Sequence, residues 1–368
     1  MYRDHTIGVV IPAQDEDGSI GDAIRELPDC IDAAFVVDDC SSDETWGEIL
    51  NAARRDTGHS DRELARTGPI DPNEVKPDTG GAKDEQPEER EVRTDGGTSA
   101  LARRADVHDP IGRMVPIEHR ERRGIGGAIT TGYLASLERD LDVTIVATDG
   151  LTERSLTERL LDPLVEDAAD YATIGRSPIA SSGEASRRHR VGSWTRRFLT
   201  KIASGYWKTR TPRSATTAIS RGALVELDLE GLSERGGHRC DLLTALNVAG
   251  LRVADVVSRD VVASSRQWTS SGDASATLRT VLGNFRWRLQ ARHLVMDFHP
   301  LALFYLAGIG TTAFGLLIGA WALYAGGSET AFVPVAMSAV VFTIGVLFVL
   351  FAMVFDMRAS ERLELRRS

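Results

Sequence analysis

Cysteine is scarce. Cys30, Cys40 and Cys240 are the only three in 368 residues, and no two stand in a CxxC spacing. That excludes a disulfide framework and a cysteine-based zinc site, and it suits a reducing compartment. An excess of basic residues is lacking too: 53 Asp and Glu against 43 Lys and Arg leave a net charge of −10. A surface of that sign is poorly suited to nucleic acid, which calls for clustered Lys and Arg, so no nucleic-acid partner is expected. No apolar stretch precedes Ile7, and the run Ile7–Pro12 is too short for the apolar region of a signal peptide. The start of the chain is therefore expected in the cytoplasm. The last scarcity is local. Asp56–Pro110 has almost no large apolar residues and is rich in Gly, Pro, Thr and charged side chains. Such a stretch cannot bury enough surface to offset its ordering entropy, so residues 56–110 are expected to be a disordered acidic insertion.

Around that insertion the pattern is α/β. Ile7–Pro12 and Ala33–Asp39 are continuous apolar runs, the pattern of strands buried on both faces, and each precedes a helical period. Strands are also expected at Arg113–Ile117, Val143–Thr148, Tyr171–Ile174, Thr217–Ile219 and Leu251–Val257. Helices fall between them, and the one over Gly126–Leu137 follows the turn Arg123-Gly-Ile-Gly-Gly. Residues 1–55 and 111–260 thus form one domain. Residues 274–297 read as a basic amphipathic helix with Phe285 and Trp287, suited to a membrane surface.

Two segments, 301–324 and 335–355, contain no charged residue, and each is long enough to cross a hydrocarbon core of about 30 Å. Arg286, Arg288 and Arg292 precede them and Arg358, Arg362, Arg366 and Arg367 follow, while the connection carries only Glu329. The positive-inside rule puts both ends in the cytoplasm and the short loop outside. The expected location is the cell membrane, multi-pass, with the globular domain cytoplasmic.

In a parallel α/β sheet, ligands sit beyond the carboxyl ends of the strands. The tips at Pro12-Ala13-Gln14, Asp38-Asp39 and Asp149 would line one crevice. A carboxylate at the second tip can accept from a base imide or a ribose hydroxyl, or it can cap the following helix. Gly124, Gly126 and Gly127 allow close backbone approach before a helix N-terminus, where anions are favoured.

Three motifs occur in order: Val9-Val-Ile-Pro-Ala-Gln-Asp-Glu, Val36-Val-Asp-Asp-Cys-Ser-Ser-Asp-Glu-Thr and Arg123-Gly-Ile-Gly-Gly-Ala-Ile. Together they resemble the family 2 glycosyltransferases, in particular the dolichyl-phosphate mannose synthase-like branch. The resemblance implies a GT-A fold, a mixed sheet with flanking helices, followed here by the two-helix membrane hairpin. It implies a donor site of Pro12, Ala13, Gln14, Glu16, Asp38, Asp39, Gly124 and Gly126, with Asp39 on the nucleotide base and Asp38 and Asp43 shaping the turn. It also implies Mg²⁺ or Mn²⁺ held by Asp149, a catalytic pair of Asp149 and Arg176, and an acceptor side with Ser214 and Asp241. The partners implied are a nucleotide sugar, a polyprenyl or dolichyl phosphate, and the membrane. The basic run Arg187–Lys208, with Trp194, Phe198, Tyr206 and Trp207, would meet the membrane and the lipid; otherwise it is a solvated basic face.

The sequence departs from the family pattern at several places. In the metal motif, Asp-x-Asp-Gly-Gln, the first Asp is Ala147 and the Gln is Leu151, and Glu153 is either a substitute ligand or a solvated loop side chain. In the acceptor motif the Asp is Thr211 and the Gly is Ala215, and Arg239 replaces one of two later acidic residues beside Asp241, itself a candidate helix cap. Two functions follow from different classes: sugar transfer to a polyprenyl phosphate, or a degenerate homologue that binds without turnover.

Overall fold

The computed structural model describes residues 1–64, 99–148, 154–176, 198–208, 216–235, 237–258, 274–292, 301–325 and 332–367. Its globular part is built on one mixed sheet, in which the described strands lie in the order β3-β4-β2-β1-β5-β7-β6-β8-β9. The central strands are β1 (Ile7–Ala13), β2 (Ala33–Asp38), β4 (Met114–His119) and β5 (Val143–Ala147), all parallel. β7 (Thr216–Ser220) runs antiparallel between β5 and β6 (Tyr171–Arg176), and β8 (Val253–Ser258) is parallel to β6. β3 (Ala105–Val107) pairs antiparallel with β4 at one edge.

Alternate residues of each strand point to opposite faces. Ile7, Val9 and Ile11 of β1 pack with Ile20 and Ile24 of α1 (Ile20–Arg25), Ile49 of α2 (Thr45–Leu64) and Leu160 of α5 (Arg154–Val165). On the other face, Val10, Phe35 and Val37 pack with Leu101 of α3 (Ala100–Arg104), Tyr133 of α4 (Ile125–Glu138), Leu224 of α6 (Arg221–Glu226) and Leu246 of α7 (His238–Val248). Both faces are covered, which is why the strands read as unbroken apolar runs rather than alternating ones.

The insertion expected over 56–110 is narrower in the structure. α2 continues through Asp56 to Leu64, and α3 and β3 already lie within 100–107. Asp56 is ion-paired with Arg113, and Arg104 is buried. The few apolar side chains here, Leu101 and Ala105, enter the core, and charged pairs that bond across the fold hold the rest. Residues 65–98 lie outside the described residues.

After α8 (Ala274–Gln290) come two long helices, α9 (Leu301–Ala325) and α10 (Phe332–Ser360), both long and apolar enough to cross a membrane. They pack closely where Gly345 faces Thr312 and Gly315 faces Phe342; a Cβ at either glycine would collide with its neighbour's backbone. Their outer faces leave Leu317, Trp321 and Val333 about two-thirds exposed (69%, 65% and 67%). α10 runs further than the 335–355 read from the sequence and includes Asp356 and Arg358. The chain then returns to the globular domain: β9 (Glu364–Arg367) adds to the sheet edge, parallel to β8, from Val253↔Glu364 to Val256↔Arg367.

Candidate functional site

The carboxyl ends of β1, β2 and β4 meet along one edge of the sheet and are laced together by side-chain bonds. Pro12 and Ala13 are buried in β1, and the Ala13 carbonyl accepts the Asp39 N–H at 2.9 Å. Gln14 follows half-buried. Asp15, at φ +50°, accepts the Ser42 N–H at 2.8 Å and its hydroxyl at 3.0 Å on one oxygen, and Arg122 at 2.8 Å on the other. The Ser42 N–H and hydroxyl, with Arg122, hold the Asp15 carboxyl below its usual range. Glu16 donates its backbone N–H to Thr45 Oγ1 at 2.8 Å.

Asp38 and Asp39 are adjacent but differ in environment. Among the described residues Asp38 takes Ser41, through its hydroxyl at 2.5 Å and its N–H at 3.1 Å, and burial raises its carboxyl above the usual range. Burial alone would raise Asp39 as well. Instead, the bonds from the His119 ring and from the Arg123 and Gly124 backbones hold it below that range. His119 Nδ1 lies 2.7 Å and Arg123 N 2.8 Å from Oδ1, and Gly124 N is 2.7 Å from Oδ2. The side chains of Asp39 and His119 are both 0% exposed. Asp43 accepts from the Thr45 N–H and hydroxyl and from Asp17 N, which fits the turn-shaping role implied for it.

The glycine turn is approached closely, but by the chain itself. Gly124 caps α4 at φ +88°, where glycine is favoured. A Cβ on Gly126 would collide with the carbonyl oxygens of Ser233 and Glu234, and Gly127 N donates to the Glu234 carbonyl at 2.8 Å. The Glu234 carboxylate receives Arg104 at 2.6 Å and Arg123 at 2.7 Å. Asp241 stands behind this segment. It accepts from Ser233 N at 3.1 Å and from Asn284 of α8 at 2.5 Å. It does not cap α7, whose N-cap is Gly237; the carboxylate ties two segments together instead.

His119, Arg104 and Glu234 were not singled out from the sequence. The signal for His119 was available: Val115, Ile117 and His119 alternate, so the ring points with them toward α4. The strand was read only to Ile117. Tyr206, taken from the sequence as a membrane-facing aromatic, is a core residue, buried with its hydroxyl donating to the Leu251 carbonyl at 2.7 Å.

Asp149, Leu151, Glu153, Thr211, Ser214 and Ala215 lie outside the described residues, as do Arg187–Arg197. Ala147 is fully buried at the end of β5, and Thr148 follows it. Arg176 ends β6 in register with Ser258. Arg239 donates to Thr173 Oγ1 of β6 at 3.1 Å. Among the described residues no three His, Cys, Asp or Glu side chains gather to hold a metal ion.

Over 119 residues the chain is 26% identical to the UDP-N-acetylglucosamine–dolichyl-phosphate N-acetylglucosaminyltransferase of Methanococcus voltae. The similarity is to a glycosyltransferase. That match takes in 31% of this chain and 46% of the relative, so the chain spans about half the length of the curated relative it matches. No protein-family model matches the chain. Among solved structures, glucosyl-3-phosphoglycerate synthase from Mycobacterium tuberculosis, in complex with UDP, is 18% identical with a TM-score of 0.47, over 77% of this chain and 81% of that one. A mannosyltransferase from Pyrobaculum calidifontis, in complex with GDP-mannose and Mn²⁺, is 14% identical with a TM-score of 0.41, over 96% and 87%.

Proposed function

We propose that the chain is a membrane-attached glycosyltransferase of the family 2 kind, moving a sugar from a nucleotide-sugar donor to a polyprenyl (dolichyl-type) phosphate. The observation that carries this reading is the convergence of three sequence motifs on one sheet edge. The Ala13–Gln14 tip, the Asp38–Asp39 tip and the Arg123–Gly124 turn lie together. The curated relative, which names a dolichyl-phosphate acceptor, supports the acceptor class. The apolar helix pair supports a lipid substrate reached from the membrane, and the arginines that flank it support a cytoplasmic face for the domain.

In this reading an oxygen of the acceptor phosphate attacks the anomeric carbon. The bond from that carbon to the nucleoside diphosphate breaks, and the diphosphate leaves with the electron pair. The attacking oxygen is already ionised near neutral pH, so no strong general base is required, and Thr211 in place of an Asp is compatible with turnover. The protein's share is then orientation of the two substrates and charge neutralisation. Arg176 is proposed to pair with the acceptor phosphate, the geometry a guanidinium suits. Asp149 is proposed to anchor Mg²⁺ or Mn²⁺, which when bound would offset the charge on the departing diphosphate. Ser214 is assigned to the acceptor side by the same resemblance.

A second reading, a nucleotide-sugar or lipid binder without turnover, is favoured by Ala147 and Leu151 in the metal motif. Calorimetric titration of the detergent-solubilised chain with UDP- and GDP-sugars, with and without Mn²⁺, combined with a transfer assay on polyprenyl phosphate, separates the two. Donor binding with transfer supports the enzyme. Binding without transfer supports the second reading, and no binding under any condition overturns both.

A further inference from the structure

We propose that Glu364 is a positioning residue for the lipid acceptor: from the strand that follows the membrane helices it clasps the Trp207–Lys208 backbone, and so fixes the acceptor side of the site against the membrane anchor. The inference rests on the transferase reading above for the identity of the acceptor.

The stretch 198–208 begins as a helix and leaves it at Gly205, at φ +77°. The chain then offers two consecutive amides to one carboxylate. Trp207 N donates to Glu364 Oε1 at 2.8 Å and Lys208 N to Oε2 at 2.5 Å. Bonds to an ionised acceptor are the strong ones, and two on separate oxygens fix the carboxylate's orientation. Other side chains from both flanks of the helix pair converge on the same stretch. Arg288, ahead of α9, donates to the Ile202 carbonyl at 3.0 Å. Asp356, near the end of α10, accepts from the Trp207 indole at 3.4 Å, and Glu361 accepts from Lys208 Nζ at 2.6 Å. Lys201 Nζ closes the turn on the Trp207 carbonyl at 2.5 Å. Residues 201–208 are thus gripped by groups that precede and follow the membrane helices.

What that stretch leads to gives the grip a function. Ser214, assigned above to the acceptor side, lies six residues beyond Lys208 in the sequence. Phe198 and Trp207 meet edge to face, an aromatic pair of the sort that seats at a bilayer interface. The donor edge hangs on other bonds. It is built on β1, β2 and β4, where the Asp39 tip is tied to His119, Arg123 and Gly124. β8 and β9 close the opposite edge of the sheet. A fault in the Glu364 clasp should therefore misplace the acceptor and leave the donor where it is.

The test is steady-state transfer by the full chain in mixed detergent–lipid micelles, with dolichyl phosphate and a UDP- or GDP-sugar varied in turn. Glu364→Ala removes both bonds. Glu364→Gln keeps the length and one acceptor oxygen, and stands in should Glu364→Ala not fold. Leu365→Ala, whose side chain is on the other face of the same strand, is the control. The KM for dolichyl phosphate should rise about tenfold in Glu364→Ala and less in Glu364→Gln, with kcat and the donor KM within about twofold of wild type. Amide hydrogen exchange at Trp207 and Lys208 should speed up in the same order. Leu365→Ala should leave all of these near wild type. An unchanged acceptor KM in both Glu364 variants overturns the proposal. So does an equal rise in Leu365→Ala, or a joint loss of kcat and of affinity for both substrates, which would mean a general role in the fold. If the wild type binds dolichyl phosphate but transfers no sugar, the enzyme reading fails alone. The Kd for dolichyl phosphate then takes the place of KM, with the same rise supporting the clasp and no rise overturning it. A wild type that binds no dolichyl phosphate overturns both.

Discussion

Arg288 and Asp356 face each other fork to fork, with Nη1 2.8 Å from Oδ1, Nη2 2.8 Å from Oδ2, and each side chain only 1% exposed. The pair joins α8 to the end of α10. Nη2 also reaches the Ile202 carbonyl at 3.0 Å, and the close approach of the guanidinium to Gly205, at φ +77°, leaves no room for a Cβ there. Breaking a buried pair strands a charge, and that costs far more than replacing both partners by apolar groups. Arg288→Met or Asp356→Leu alone is expected to destabilise the chain by about 3–5 kcal/mol. The double variant should recover most of that loss, short of the bond to Ile202 and the one Asp356 accepts from the Trp207 indole at 3.4 Å. Denaturant unfolding in detergent checks this, and two singles that simply add in the double would refute the coupling.

The glycine turn makes a second, paired prediction. Gly126→Ala drives a methyl into the Ser233 and Glu234 carbonyls and should cost about 1–3 kcal/mol while displacing that segment. Gly222→Ala, inside α6 with nothing within 4 Å of the new methyl, should be neutral or gain up to about 1 kcal/mol. Thermal melts of the two variants side by side decide it; equal effects would mean the packing of 233–234 on the turn is not what the structure shows.

Acid should unfold the protein partly through His238. Its ring is buried, with Nδ1 on the Ser233 carbonyl at 3.1 Å, and burial lowers its pKa to about 4. The unfolded chain takes up the proton near pH 6.5, the folded chain only near 4. Stability from this group is therefore complete above pH 6.5 and is lost as pH falls toward 4, by on the order of 3 kcal/mol in all. His238→Gln should flatten the stability profile between those limits. A slope left unchanged would assign the acid sensitivity to other groups.

Segment replacement tests the domain boundary. Exchanging residues 66–97 for a flexible linker of about a dozen residues should leave the thermal transition within a few degrees, because that composition has few large apolar side chains to bury. Extending the cut to 56–110 removes the Asp56–Arg113 pair and the buried Arg104 and should lower the transition sharply. Two cuts with the same effect would place the boundary elsewhere.

These boundaries also show what the sequence made legible. The central strands could be read because both of their faces are buried, which leaves apolar runs such as Ile7–Ala13 that need no partner to be recognised. The apolar helix pair could be read for its length and lack of charge. Elements held by distant polar pairing could not. α3 and β3 look like disordered chain until Arg104 meets Glu234, 130 residues on. Glu364–Arg367 looks like a basic flank, and only pairing with β8 makes it a strand. At the site, the positions of Asp38, Asp39 and the glycines followed from the motifs. What they touch did not: the close neighbour of Gly126 is this chain's own Ser233–Glu234 backbone, a contact that depends on how a segment more than 100 residues later folds back.

That returning strand sets an order of events in biosynthesis. β8 leaves the ribosome long before β9, and between them lie both apolar helices. Until residues 364–367 emerge, the outer edge of β8 carries unpaired backbone donors and acceptors, the kind of edge that invites pairing with other chains. Glu364 also takes the Trp207 and Lys208 N–H groups, at 2.8 and 2.5 Å, so that stretch too waits for the last part of the chain. The helix pair thus emerges before the sheet can be completed. A chain stalled or clipped after α10 would carry both apolar helices but an unfinished sheet.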